Sequence, residues 1–365
     1  MQWSKRSATR APCTQNTSIW SARGGGVKGI GLVGAISVLE ESGFTPQNVA
    51  GTSAGAIVAT LLASGYSAVE LKEIILNLDF KHFKDPTWQM RVPLVGGLFS
   101  ILAHQGLYRG DYFHQLMQHY LEAKGVRTFR DLLHPDPTDD PRYRYKVQVI
   151  ASDVTGRRLL VLPRDAHKIG VDPDTLKVAD AVRMSMSIPV FFVPMRVKKH
   201  VIVDGGMLSN FPVWLFDSDG RPAWPTFGLK LVEPDPRTSI SERISDEVRK
   251  PAGLGAVVEY AKGLVATMTE FYDRLYLEQD TFVRTVAIPT LGISSTDFDL
   301  TREQAEQLYM AGREAAETFL ESWNFDGYIA EFCAGKDHSR RRELAAELNN
   351  IVPAPTPPNA SPITK

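Results

Sequence analysis

Cysteine is nearly missing from this chain. Cys13 and Cys333 stand far apart, which excludes a disulfide framework or zinc-ligand spacing and suits a reducing compartment. No apolar run approaches the length that spans a bilayer, and Lys5, Arg6 and Arg10 are not followed by the apolar core of a signal peptide. The expected location is therefore cytoplasmic, with at most peripheral contact to a membrane. Charge of one sign is lacking too: 41 basic residues against 42 acidic ones leave −1, so nothing draws the whole chain to nucleic acid. The basic pairs Arg157-Arg158 and Lys198-Lys199 read as solvated turn faces. No cluster has metal-ligand spacing, and Asp217-Ser218-Asp219-Gly220 opens like a calcium loop but has no closing Glu. No metal or other cofactor is expected.

What is present is the alternation of an α/β domain. Short apolar runs alternate with amphipathic stretches, the pattern of a mostly parallel sheet covered by helices. Residues 1–16 read as a disordered or divergent tail, 17–323 as one domain, and 324–365 as an extension ending in a proline-rich tail. Helices are expected from Ile30 to Gly43, over Ala54–Ser64, after the Ser67/Glu70 capping pair, over Val178–Ser187, over Leu254–Leu277, and from Thr301 to Leu320. The helix after Ser67 should bury Val69, Leu71, Ile74, Ile75 and Leu78. Strands are expected at Val49-Ala50, Tyr143–Ala151, Arg158–Leu162, Val201–Val203, Phe227–Val232 and Phe282–Ile288. Residues 80–107 break this rhythm with Trp88, Leu94, Leu98 and Phe99 among prolines and glycines, as a buried insertion or an apolar lid would.

Three glycine-rich signatures carry chemistry. Gly51-Thr52-Ser53-Ala54-Gly55 is a G-x-S-x-G sequence between a strand and a helix, the context of a nucleophile elbow, whose tight turn leaves no room for side chains beside the serine. Gly24-Gly25-Gly26-Val27-Lys28-Gly29 exposes successive N–H groups at a helix start, which suits an oxyanion hole. Its G-x-G-x-x-G spacing also allows a dinucleotide site, with Glu40 or Glu41 toward a ribose, although that acid falls too early in the chain. Lys28 either holds this loop electrostatically or faces solvent.

A serine nucleophile needs a base. Eight histidines are present, none in an evident strand-end motif after the serine; His200 reads as a solvated turn residue. Asp204 follows Val201-Ile202-Val203 and precedes Gly205-Gly206. Either it accepts the serine proton directly, making a dyad, or it only opens a turn.

In this order the motifs resemble the patatin-like phospholipases, serine acyl hydrolases with a three-layer α/β/α fold and a mostly parallel central sheet. The shared pieces are Gly24–Gly29, Gly51–Gly55 and Asp204–Gly206. Gly106-Leu107-Tyr108, Ser152-Asp153, Ala181–Phe192, Asn210 and Pro212 add support. The resemblance implies Ser53 as nucleophile, Asp204 as base, and Gly25, Gly26 and Ala54 as oxyanion-hole donors. It implies hydrolysis of phospholipid or lysophospholipid esters at a membrane surface without a metal. A catalytically silent lipid-binding protein is the alternative, a nucleotide-dependent oxidoreductase the weaker one. The entry strand Ser18–Arg23 departs from the family pattern: only Ile19 and Trp20 look buried, which leaves the first strand in question.

Overall fold

A computed structural model describes residues 17–78, 106–135, 140–217, 221–233, 279–293 and 300–333, with helical positions 263 and 267. Ten strands are introduced in chain order: β1 Thr17–Ala22, β2 Thr45–Thr52, β3 Gly106–Tyr108, β4 Val147–Asp153, β5 Arg158–Leu162, β6 Val190–Phe192, β7 Met195–Val197, β8 His200–Asp204, β9 Thr226–Val232 and β10 Thr285–Pro289. Eight of them form one sheet in the order β10-β9-β1-β2-β4-β8-β7, with β5 paired to β4; β3 and β6 form a separate pair. From β10 to β4 every pairing is parallel, while β4–β5, β4–β8 and β7–β8 are antiparallel. The expected α/β/α arrangement with a mostly parallel sheet is thus the one found.

Among the described residues the α-helices are α1 Gly29–Glu41, α2 Ala54–Ala63, α3 Ala68–Leu76, α4 Asp111–Ala123, α5 Val178–Ser185, α6 Gln279–Val283, α7 Arg302–Ser322 and α8 Phe325–Tyr328. Helix α1 is buried along its whole length except its last two residues because it lies between the sheet and α7. Gly34 and Gly312 permit that contact: a β-carbon on either would collide with the other helix's backbone. The opposite face of the sheet is covered by the single-turn segment Pro212–Phe216, where Leu215 and Phe216 pack on Ile19, Ala50 and Ile150. Both capping boxes form, Ser67 with Glu70 on α3 and Thr301 with Gln304 on α7.

Several expectations are corrected. Strand β1 is well formed and central, with Ser18 and Ser21 fully buried beside Ile19 and Trp20. A parallel strand covered on both faces shows no alternation, and small serines fit there; Trp20 Nε1 donates to Ser18 Oγ at 2.7 Å. Strand β4 starts at Val147, not Tyr143. Phe282 belongs to α6 and is 67% exposed, and the following strand starts only at Thr285. Val69 faces outward at 66% exposure, since the apolar stripe of α3 is set by Leu71 and Ile75. The tails at 1–16 and 334–365, the apolar run at 80–105 and most of the helix expected at 254–277 lie outside the described residues.

Candidate active site

Strand β2 runs into α2 through Ser53, whose backbone is left-handed at φ 51°, ψ −123°. This conformation is costly for a side-chain-bearing residue and is held only where surrounding packing over-determines it. Here the packing is glycine-dependent. A β-carbon on Gly51 would strike the Gly55 carbonyl, and one on Gly55 would strike the Ala22 carbonyl at the end of β1. The turn is fastened by Ser185 at the end of α5, whose hydroxyl accepts the Ser53 N–H at 2.9 Å.

Asp204 arrives from another part of the chain. Strand β8 pairs antiparallel with β4 so that Asp204 lies opposite Ala151, one residue past Ile150, which itself lies opposite Thr52. The Asp204 N–H donates to the Ser187 carbonyl at 2.9 Å, so the segment Ser185-Met186-Ser187 spans the serine and the acid. Asp204 is buried, and its Oδ1 accepts the Gly206 N–H at 2.7 Å. Oδ2 is buried without a hydrogen bond. The Ser53 hydroxyl is within reach of this carboxyl but is turned to the Met186 sulfur at 3.4 Å. Burial drives the Asp204 pKa up to about 6; the Gly206 N–H and the Ser53 hydroxyl oppose this and do not cancel it.

The glycine loop closes the site from the β1 side. Gly24 N–H donates to the Asn210 carbonyl at 3.1 Å, and the Asn210 side chain is wedged between Gly24 and Gly206. The N–H groups of Gly25, Gly26 and Ala54 have no acceptor among the described residues. Lys28 is buried, its Nζ 2.5 Å from Glu233 Oε1 just past β9, and Glu233 Oε2 accepts the Thr290 hydroxyl at 2.9 Å. Lys28 therefore ties the loop to the ends of β9 and β10, the electrostatic reading of the two. The acids proposed for a ribose are engaged elsewhere: Glu40 accepts the Ala68 N–H and Glu41 pairs with Arg313.

From Gly26, Ala54 and Met186 a narrow apolar slot of about 60 Å³ runs between α2, α3 and α4 to Leu61, Leu78 and Tyr120. A second, wider groove of about 780 Å³ lies between β10 and α7; neither cavity is lined by Ser53 or Asp204, but the slot begins at Ala54 and Met186, the residues beside and facing Ser53. His200 is not the solvated turn residue expected: it is buried and its Nδ1 lies 2.9 Å from Asp153 Oδ2. Among the described residues no group of three or more His, Cys, Asp or Glu could hold a metal ion. Ser185 and Met186 had no role assigned from sequence. The signal for them lay in the segment Ala181–Phe192, which supports the family resemblance without assigning either residue a role.

A glycine loop, a strained serine at a strand-to-helix turn and a buried carboxyl beside it define a hydrolase-like α/β site. Comparison with known sequences makes this specific: residues 21–217 match the family described as patatin-like phospholipase. The chain belongs to the patatin-like phospholipase family. An uncharacterized protein of Bacillus subtilis (strain 168), YqhO, is 37% identical over 307 residues, covering 83% of this chain and 97% of that protein. The uncharacterized NTE family protein Rv2565 of Mycobacterium tuberculosis is 29% identical over 221 residues, 58% of this chain and 32% of its own length. Among solved structures, VipD from Legionella pneumophila aligns with a TM-score of 0.50 at 18% identity, covering 92% of this chain and 75% of VipD; it shares the fold.

Proposed function

We propose that this protein is a serine acyl hydrolase that cleaves fatty-acyl esters of phospholipids or lysophospholipids. The observation that carries the reading is the juxtaposition at Ser53: a left-handed nucleophile turn, a buried carboxyl within reach, three N–H groups without an acceptor among the described residues, and an apolar slot lined by the adjacent Ala54 and Met186. Ser53 Oγ attacks the ester carbonyl carbon as its hydroxyl rotates from Met186 to Asp204, which takes the proton. The carbonyl oxygen becomes an oxyanion, stabilised by the N–H groups of Gly25, Gly26 and Ala54; losing one such donor typically lowers turnover by about 10²–10³. The tetrahedral intermediate collapses, the C–O bond to the alcohol breaks, and Asp204 returns the proton to the leaving oxygen. Water then attacks the acyl-enzyme, again giving its proton to Asp204, and the fatty acid leaves as Ser53 regains its proton.

The slot favours a lipid over a polar ester, because its lining offers an acyl chain apolar contact along its length. The test is covalent labelling with a fluorophosphonate, the adduct mapped by mass, run beside a panel of phospholipids and lysophospholipids. Labelling at Ser53 with fatty-acid release, both absent in Ser53→Ala, is expected. Lipid binding without labelling or release would instead favour the catalytically silent alternative.

A further inference from the structure

Two basic pairs, 41 positions apart and taken singly as solvated turns, meet in the fold. Arg157-Arg158 closes the β4–β5 hairpin and Lys198-Lys199 is the two-residue turn between β7 and β8. The hairpins are joined directly: the Val154 N–H donates to the Val201 carbonyl, and the Val201 N–H donates to Thr155 Oγ1. Lys168 is brought in as well, because Arg158 donates to its carbonyl.

Both tips project from the end of the sheet at which β2 delivers Ser53. Ile150 is level with Thr52, and Val154 lies four residues further, roughly 13 Å along the strand. His200 lies the same distance from Asp204 along β8. Two of the nearby acids, Asp153 and Asp165, are already spent inward. Asp153 is buried against Arg158 and His200, and Asp165 against Lys168 and Arg164. Arg157, Lys198 and Lys199 are exposed, and beside them Val154 is 54% exposed. Arg157 and Lys198 are both left-handed, at φ 50° and 52°. Glycine or asparagine would sit there with less strain, so Arg157 keeps a cation where the backbone alone favours another residue, while Lys198, whose Nζ donates to the Gly170 carbonyl, keeps one on the second tip.

We propose that this paired hairpin tip is the surface by which the protein docks on an anionic phospholipid bilayer, with Val154 entering the interface. The proposal rests on the acyl-hydrolase reading for its purpose, since docking at this end of the sheet brings Ser53 to the lipid. Each basic side chain near an anionic membrane strengthens partitioning roughly fivefold, so three together amount to about a hundredfold.

The experiment compares the full chain with the variant Arg157→Asn/Lys198→Asn/Lys199→Gln, whose asparagines tolerate the left-handed turns. Co-sedimentation is measured with phosphatidylcholine vesicles and with phosphatidylcholine–phosphatidylserine vesicles, at low and high salt, and hydrolysis of vesicle lipid and of p-nitrophenyl butyrate is followed in parallel. The expected result is salt-sensitive binding that requires phosphatidylserine, weakened about a hundredfold in the variant. Vesicle hydrolysis should fall with it, the soluble ester should be cleaved as before, and melting should occur no lower. Equal partitioning of both proteins, equal binding to both vesicles, or binding of an oligonucleotide in place of phosphatidylserine vesicles would overturn the assignment. If neither protein cleaves any ester, the hydrolase reading fails while the binding arm still judges the surface.

Discussion

Replacing the buried carboxyl by an amide, Asp204→Asn, should make the protein more stable while removing its activity. The magnitude follows from the site. Burial raises the Asp204 pKa from 3.8 to about 6, and one of its oxygens has no hydrogen bond to offset the lost water. A group whose folded pKa lies above its unfolded value binds its proton more tightly in the folded state. Its contribution to stability is complete below pH 3.8 and is lost as pH rises through about 6. The interval corresponds to about 3 kcal/mol at neutral pH. Asparagine keeps the shape and an oxygen for the Gly206 N–H but carries no charge. The variant should therefore match the wild type near pH 4 and exceed it by up to about 3 kcal/mol above pH 7, near 5 °C in Tm for a chain of this size. Thermal unfolding from pH 4 to pH 8 measures it. A stability gap that does not change with pH, or a variant weaker throughout, would refute the reasoning that burial strains this carboxyl. On the proposed dyad, wild-type kcat/KM rises with pH through about 6 and then levels, and the variant loses about 10²–10⁴ of its rate.

Three further outcomes are expected. Ser185→Ala strips the Ser53 N–H of its acceptor and should lower kcat with little change in KM, at about 1–3 kcal/mol of stability, read by steady-state kinetics and denaturant unfolding; a change in KM alone contradicts the positioning role. Lys28→Met removes the ion pair that ties the glycine loop to Glu233 and should destabilise the fold by about 2 kcal/mol, read by denaturant unfolding, while slowing fluorophosphonate labelling of Ser53. Leu61→Trp fills the slot two turns along α2 from Ala54, about 10 Å from the mouth, so long-chain p-nitrophenyl esters should lose at least about tenfold in kcat/KM relative to butyrate; an unchanged chain-length profile would remove the slot from the acyl path.

The site was legible in sequence where its requirements are local. The elbow needs glycines beside the serine because the Gly55 carbonyl presses on Gly51 and the Ala22 carbonyl on Gly55, and the two glycines that answer this pressure fall within five residues. Asp204 stood out as a candidate because a β-branched run ends on it directly before two glycines. What depends on distant partners was not legible. Ser18 and Ser21 look like loop residues until β2 and β9 enclose them. His200 looks solvated beside two lysines until Asp153 reaches it from β4. Phe282 and Val283 form a short apolar run before a true strand, and such runs do not distinguish strand from helix by period. Ser185 and Met186 gain meaning only once α5 ends against the elbow.

The features that weaken the fold gather where β1, β2 and β8 end, at one end of the sheet. Ser53 is left-handed there, Asp204 is charged at neutral pH without full hydrogen bonding, and the N–H groups of Gly25, Gly26 and Ala54 lack acceptors among the described residues. The supports converge on the same place from five directions: Ser185, the Ser187 carbonyl, Asn210, the Lys28–Glu233 pair and the α2 start. None of these supports satisfies the open groups; each fixes the backbone that carries them. A site whose polar groups are held in place but left unpaired is organised for charge that is not yet present, and on the proposed mechanism a tetrahedral oxyanion beside Ser53, with its proton on Asp204, supplies that charge. Substitutions that satisfy an open group should therefore stabilise the protein and silence it, whereas substitutions in a support should weaken both properties together.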